Sequence, residues 1–182
     1  MRKFFDRLYQ DRYLQFEQLL KENLEQAKKM MIVTANPETF MKAEQDEILK
    51  QILLDPEVVI VPDGVGIVKG ANMLGIPVKE RIPGIEIAWS LLKEGNRQKK
   101  SIYLLGASEE VISKMQEKLK KEYPDLELLG AINGYGKDKD KDFEEIKRMN
   151  PDIILVALGI PTQEKLIYKH LKDFKKGIFV GV

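Results

Sequence analysis

The chain has 182 residues, a formal net charge of +1 and 43% hydrophobic residues, enough for one globular domain with its own core. The near-neutral charge argues against a nucleic-acid partner, and the absence of cysteine excludes disulfides, thiolate metal sites and cysteine nucleophiles. The charged N-terminus and the lack of a long apolar run predict a cytoplasmic protein without a signal peptide or membrane span. Any membrane contact would be peripheral.

Short apolar runs rich in β-branched residues recur along the chain, with helical patterns between them. Several runs are apolar throughout rather than alternating, which is typical of strands buried on both faces. The alternation predicts an α/β fold, a Rossmann-like, doubly wound and mainly parallel sheet of about six strands with helices on both faces. The predicted strands are residues 30–35, 58–61, 101–105, 126–132, 152–157 and 177–182.

The helical segments have recognisable starts and apolar faces. Pro37 behind Asn36 predicts a helix start with its N-cap, and Ser108 before two glutamates predicts another. The alternating lysines and aspartates of residues 137–142 predict a solvated loop. The predicted apolar stripes are Phe16, Leu19, Leu20, Leu24 and Ala27 in one helix, and Val111, Met115 and Leu119 in another.

Small and polar residues follow five of the predicted strands, where ligands of doubly wound folds bind. The second of these loops reads Pro62-Asp63-Gly64-Val65-Gly66. A helix beginning there would offer free N–H groups to an anion such as a sugar-nucleotide phosphate. Asp63, at the end of the strand, is placed to take a proton from a bound group. Turn chemistry alone also explains such loops, and Asp63 could instead be an N-cap.

Three other patterns are weaker signals. The glycines at 64, 66 and 70 resemble a dinucleotide fingerprint, but the last spacing is one residue too long and the expected ribose-binding acid is missing. The aspartates at 138, 140 and 142 contain an Asp-x-Asp pattern, yet the intervening lysines would oppose a divalent cation. His170, the only histidine, predicts a cation in the last turn of a helix, so we expect no metal site.

Six short segments occur in the same order, and with compatible spacing, as in a known protein family. They are residues 33–38, 61–66, 81–84, 104–107, 133–135 and 158–165, within a stretch from about residue 30 to 182. With these segments the chain resembles the bacterial WecG/TagA/CpsF family of glycosyltransferases.

The resemblance implies an inverting, metal-independent transferase without a cofactor. Its members move N-acetylmannosamine, or a related sugar, from UDP-N-acetylmannosamine to undecaprenyl-diphosphate-linked N-acetylglucosamine, as in the linkage unit of wall teichoic acid. They act peripherally on the cytoplasmic face of the cell membrane. By the resemblance Asp63 is the general base, and Tyr135 lies near the nucleotide. The other predicted substrate-binding residues are Thr34, Asn36, Gly64, Gly66, Arg81, Gly106, Ala107 and Gln163.

The chain departs from the family pattern in two places. Asn133 stands where a histidine is usual, and the chain stops at Val182, where family members continue into a basic C-terminal appendage. We therefore expect residues 1–182 to be a single glycosyltransferase core domain without the appendage that contacts anionic membrane in a full-length form. Homo-oligomer formation stays open. The alternatives are a non-catalytic nucleotide-binding module and an NAD-dependent oxidoreductase.

Overall fold

A computed structural model describes residues 1–136 and 138–182, and it contains one sheet of six parallel strands among them. The strand order across the sheet is β2-β1-β6-β5-β3-β4. All six predicted strands are confirmed, with ends that differ by a residue or so. The strands are β1 (Lys29–Ala35), β2 (Val58–Pro62), β3 (Ser101–Gly106), β4 (Glu127–Ile132), β5 (Ile153–Ala157) and β6 (Gly177–Gly181).

Helices fill the connections between these strands. Their order along the chain is α1 (Arg2–Phe5), α2 (Tyr13–Glu25), α3 (Pro37–Gln45), α4 (Glu47–Leu54), α5 (Val65–Met73), α6 (Gly84–Arg97), α7 (Glu109–Glu122), α8 (Lys139–Met149) and α9 (Thr162–His170). A single 3-10 turn, Leu171–Asp173, follows α9.

The sheet separates two cores, because successive residues of a strand point to opposite faces. On the first face, Met31 and Val33 of β1 pack in one cluster with residues of α1, α3, α4, α5, α8 and α9. On the second face, Met30 and Ile32 pack with residues of α2, α6 and α7. The doubly wound arrangement predicted from the sequence is therefore confirmed.

The winding changes direction around β3. The helix after β3 packs on the second face, whereas the helices after its neighbours β4 and β5 pack on the first. The loop after β3 therefore turns away from the loops beside it and opens a crevice at the carboxyl ends of the strands. Crevices of this kind are where doubly wound folds bind ligands.

Both predicted helix starts are confirmed. The Asn36 side chain accepts a hydrogen bond from the Thr39 amide at 2.9 Å, and the Thr39 hydroxyl accepts one from the Asn36 amide, which completes a capping box. The Ser108 hydroxyl accepts from the Val111 amide at 3.3 Å at the start of α7.

Three local predictions are wrong. Residues 139–142 are not a solvated loop but the first turn of α8, because the apolar pair Phe143 and Ile146 anchors this helix in the core; Lys137 lies outside the described residues. Ala27 lies beyond the end of α2 with a φ of 50°. In α7 Met115 and Leu119 pack against the second core as predicted, but Val111 is exposed and Ile112 is buried instead.

Candidate active site

Asp63 lies at the carboxyl end of β2, where its carboxylate caps a distant helix. Its backbone N–H donates to the carbonyl of Ala35 at 2.8 Å, which ties the residue to the end of β1. Its Oδ2 accepts a hydrogen bond from the Gly84 amide, the first of α6, at 3.1 Å. Asp63 is therefore not the N-cap of the helix that follows it: Gly64 occupies that position without a side-chain bond. The positive end of the α6 dipole stabilises an anion at this point.

Thr34 packs into the same corner from the end of β1. A Cβ added to Gly84 would lie 3.0 Å from Thr34 Cγ2 and 3.5 Å from Asp63 Oδ2, so α6 begins in close contact with both side chains. The Thr34 hydroxyl donates to the carbonyl of Gly181, the last residue of β6, at 3.4 Å. The structure thus brings Thr34 and Asp63 together at the ends of β1, β2 and β6.

Two helix starts lie side by side next to this corner. Asn36 is the N-cap of α3, and Gly64 and Gly66 form the start of α5. A Cβ on Gly66 would be 3.2 Å from the ring of Pro37, the first residue of α3. The N-termini of α3 and α5 therefore lie in contact, and the free N–H groups of helix starts suit an anionic ligand.

Arg81 lies in the loop between α5 and α6 and is exposed. The next residue anchors this loop, since the Ile82 amide donates to the carbonyl of Pro62 at 2.8 Å. Within residues 1–136 and 138–182 the Arg81 side chain has no hydrogen bond or ion pair. Its guanidinium is therefore free to reach a bound anion close to the end of β2.

Gly106 and Ala107 shape the crevice after β3. Gly106 has a φ of 112°, and a Cβ there would lie 2.2 Å from the carbonyl oxygen of Ala157, so only glycine fits. Ala107 adopts a φ of 60°, which is unusual for a residue with a side chain. Its amide donates to Ala157, and its carbonyl accepts from Gly134, both at 2.8 Å. A cavity of about 210 Å³ results, lined by Ala107, Ser108, Gly134, Tyr135, Ala157 and Leu158.

Tyr135 forms the outer wall of this cavity and is 78% exposed. Its amide donates to the Asn133 side chain at 3.0 Å, and the Asn133 amide group donates to Glu109 of α7 at 2.7 Å. Asn133 therefore fixes the backbone of the tyrosine while the ring remains open to solvent. An exposed ring beside a small crevice can stack on a planar base.

Residues 5–182 match the model of the glycosyl transferase WecG/TagA/CpsF family. The chain belongs to this family.

Three curated relatives carry the name N-acetylglucosaminyldiphosphoundecaprenol N-acetyl-beta-D-mannosaminyltransferase. The relative from Bacillus spizizenii is 36% identical over 159 residues, which covers 87% of this chain and 62% of the relative. Those from Bacillus subtilis and Staphylococcus aureus are 34% and 33% identical and cover 90% and 84% of this chain. The chain spans about 62%, 64% and 60% of the lengths of these relatives.

The family segment after β5 places Gln163 beneath the rim rather than in an open pocket. Gln163 is 3% exposed, and its Oε1 accepts hydrogen bonds from the amides of Leu158 and Gly159 at 3.2 and 3.0 Å. Its Nε2 donates to Glu164 at 3.0 Å. Sequence reasoning did not single out Glu164, because an acid in the first turn of a helix is ordinary; its burial depends on the packing of α9 in the whole fold.

The dinucleotide-like glycine pattern has a packing explanation in this family member. A Cβ on Gly70 would lie 3.1 Å from the ring of Phe5, so this glycine allows α1 to approach α5. Packing of α1 on α5 therefore accounts for this glycine.

His170 lies at the end of α9, where its ring stacks on Phe143 with centroids 4.8 Å apart. Its Nε2 is 2.7 Å from an Asp140 oxygen. Glu144 and Asp173 also place carboxylate oxygens within 4.8 Å of a His170 nitrogen and of each other, but both side chains are exposed. Asp140 also pairs with Lys169 at 2.7 Å, so these acidic side chains lie beside the basic residues at the end of α9.

Of the larger cavities, an apolar one of about 290 Å³ adjoins Gly106 and Ala107 between α6 and α7, and two others lie away from the residues assembled above. A groove of about 670 Å³ between α2 and α6 is lined by surface side chains such as Gln18, Lys21 and Arg97. Its volume is larger than that of the crevice at β3, but none of the predicted site residues lines it. Its charged walls are typical of a solvated surface. No helix within the described ranges is long and apolar enough to cross a membrane.

Proposed function

We propose that this chain is the core of an inverting glycosyltransferase that moves N-acetylmannosamine from UDP-N-acetylmannosamine to undecaprenyl-diphosphate-linked N-acetylglucosamine. Family membership and the names of the relatives support this reaction. The observation that carries the proposal is the position of Asp63: a carboxylate at the carboxyl end of a parallel strand, oriented by the Gly84 amide and flanked by two helix N-termini.

In the proposed reaction Asp63 is the general base. Its carboxylate takes the proton from the acceptor hydroxyl while that oxygen forms a bond to the anomeric carbon of the donor sugar. The bond from the anomeric carbon to the UDP oxygen breaks on the opposite side, and UDP leaves with the electron pair. One bond to Gly84 occupies Oδ2, so the other carboxylate oxygen is available for the proton.

Charge on the departing UDP requires stabilisation, and the proposal assigns this to helix N-termini and Arg81 rather than to a metal ion. Backbone N–H groups at α3 and α5 favour a diphosphate, and a guanidinium binds it through paired hydrogen bonds. We place the uracil ring in the crevice after β3, against Tyr135. We place Thr34 and Asn36 in the donor and acceptor pocket, as the resemblance implies, whereas the buried Gln163 acts from below the rim through the Leu158–Gly159 backbone.

The lipid-linked acceptor supports a peripheral position at the inner face of the cell membrane, on the cytoplasmic side. Peripheral contact with anionic lipids and homo-oligomer formation stay predictions. The membrane-bound acceptor diphosphate and the donor diphosphate would reach the same edge of the sheet.

A non-catalytic nucleotide-binding module is the second candidate. One observation favours it: Asp63 already makes a structural bond to α6, so a carboxylate could be retained here without chemistry. The NAD-dependent oxidoreductase is disfavoured, because the last spacing of the dinucleotide-like pattern is one residue too long and the ribose-binding acid is missing.

A combined binding and transfer assay separates these functions. The chain is titrated calorimetrically with UDP, UDP-N-acetylmannosamine and NAD, then incubated in EDTA with the UDP-sugar and a short-chain lipid diphosphate bearing N-acetylglucosamine. We expect UDP binding, no NAD binding, and a disaccharide product formed together with free UDP. UDP binding without product, in this chain and in one of the relatives' length, would favour the non-catalytic module. Binding of NAD alone would contradict both.

A further inference from the structure

Glu164 is a buried carboxyl group beside the candidate site that the proposed reaction does not use. It lies in the first turn of α9 and is 2% exposed. One oxygen accepts a hydrogen bond from Gln163 Nε2 at 3.0 Å, whereas Oε2 is buried without a partner in the described part of the chain. Burial raises the pKa of Glu164, against smaller opposing effects of its own amide, Gln163 and the charge of Lys42.

Gln163 connects the Glu164 carboxyl group to the backbone at the rim of the crevice. Its amide oxygen accepts both the Leu158 and the Gly159 N–H groups, at the start of the loop between β5 and α9. Leu158 also lines the crevice after β3. The amide of Gln163 packs closely against β6, since a Cβ on Gly181 would lie 2.3 Å from its Nε2.

The orientation of the Gln163 amide is therefore critical. If the amide were flipped, its NH₂ group would face two N–H donors, and the Leu158 and Gly159 N–H groups would lose their acceptor. A carboxylate or carbonyl oxygen next to Nε2 prevents the flip, because it accepts from NH₂ and would repel the amide oxygen. Glu164 supplies that oxygen.

Other groups hold the same loop from α3. Lys42 donates to the carbonyl of Ile160 at 2.9 Å and pairs with Glu38 at 2.9 Å. Lys165 pairs with Asp46 at the start of α4. These contacts fix the middle of the loop and the beginning of α9, whereas Leu158 and Gly159 depend on Gln163.

We propose that Glu164 is a positioning residue: it fixes the orientation of the Gln163 amide and thereby places the Leu158–Gly159 backbone at the rim of the crevice that receives the nucleotide. The nucleotide part of this inference rests on the proposed function. The placement of the loop does not.

Amide hydrogen exchange in the full chain tests the loop directly. In Glu164→Ala we expect exchange at Leu158 and Gly159 to rise about tenfold or more, since their shared acceptor is no longer oriented. Exchange in β2, on the far side of the sheet, should stay within about twofold of the parent chain. Glu164→Gln retains a carbonyl oxygen that can accept from Gln163 and should restore the protection. Glu117→Ala, which removes an exposed acid of α7, is the matched control.

Two results would overturn the positioning role: unchanged protection at Leu158 and Gly159 in Glu164→Ala, or no rescue by Glu164→Gln. If Glu164→Ala does not fold, Glu164→Asp replaces it, because the shorter side chain withdraws the oxygen from Gln163. A parallel titration with UDP should show weaker binding by Glu164→Ala and recovery in Glu164→Gln. Failure of the parent chain to bind UDP would count against the proposed function alone, and the exchange measurement would still decide the role of Glu164.

Discussion

The carboxylate of Asp63 makes a structural hydrogen bond and, in the proposed reaction, is also the general base. Its bond to Gly84 connects β2 to the start of α6, two segments that are 21 positions apart in the sequence. A base held in this way does not have to be ordered when substrate binds, which keeps the proton acceptor in place. Asparagine can keep this hydrogen bond but cannot take a proton, so its substitution for Asp63 tests the structural and the catalytic role separately.

Replacing Asp63 with asparagine should abolish transfer while leaving the fold and UDP affinity nearly unchanged. The asparagine oxygen can still accept from Gly84, but it cannot take a proton, so turnover should fall by at least about 10²-fold. Turnover, UDP titration and thermal unfolding of the same variant check this. Turnover equal to that of the parent would contradict the assignment of the base.

Arg81 differs from Asp63, because among the residues described its exposed side chain makes no hydrogen bond or ion pair that a substitution would remove. Arg81→Ala should weaken binding of a diphosphate by roughly 1.5–3 kcal/mol without lowering the melting temperature. Arg81→Lys should rescue only in part, since an ammonium lacks the planar pair of donors. Affinity for UDP and for the lipid diphosphate is measured separately, with Lys69→Ala on α5 as the exposed control. Unchanged affinity for both would make Arg81 an ordinary surface residue.

Site features that depend on residues close in the sequence could be predicted, whereas features that depend on distant residues could not. Asn36 and Ser108 were identified as caps because a cap and its partner are three residues apart. The bond of Asp63 to Gly84 and the burial of Glu164 depend on how separate elements meet. No local pattern encodes either of them.

Among the elements, the contact of β3 with the end of β5 is the least tolerant. Gly106→Ala would combine a positive φ, at about 1–2 kcal/mol, with overlap against the Ala157 carbonyl, at about 1–3 kcal/mol. We therefore expect a total loss of about 3 kcal/mol of unfolding free energy in urea. Gly75→Ala is the control: its φ is 78° but nothing lies within 4 Å, so only the first contribution applies. Equal losses in the two variants would show that the contact with Ala157 carries no cost.

The strands were predictable element by element, whereas α8 was not. Continuous apolar runs identify strands buried on both faces without knowledge of their neighbours. The first turn of α8 is made of lysine and aspartate, and its helical state depends on Phe143 and Ile146 further along. The order of the strands across the sheet was also beyond the sequence, because it is decided by packing between distant segments.

For the molecule as a whole, the edge opposite the site contains a buried charged network. Asp152, before β5, accepts hydrogen bonds from the Ser101 amide and hydroxyl at 3.0 and 2.8 Å and from Lys176 at 2.7 Å. It thereby joins the beginnings of β3, β5 and β6. Burial acts to raise the pKa of Asp152, but the bonds from Lys176 and Ser101 outweigh it and lower the pKa.

Asp152→Asn should reduce the free energy of unfolding by about 2–4 kcal/mol at neutral pH, because Lys176 loses its partner. A lowered folded-state pKa means that the parent gains this stability above the unfolded pKa of about 4 and loses it as the pH falls further. The variant should therefore show a smaller loss of stability in acid. Denaturant titrations from pH 2 to 7 measure this. A parallel pH dependence in both proteins would show that Asp152 does not contribute to it.

The position of β6 has a consequence for how the chain is made. β6 lies between β1 and β5, so it joins a pair of strands formed by the first third of the sequence to a trio formed by the rest. As the chain emerges from the ribosome, both groups present an unpaired inner edge until residues 177–181 appear. Of these six strands, the last to be synthesised is therefore the one that closes the sheet, and the corner of Thr34 and Gly181 forms only at that moment.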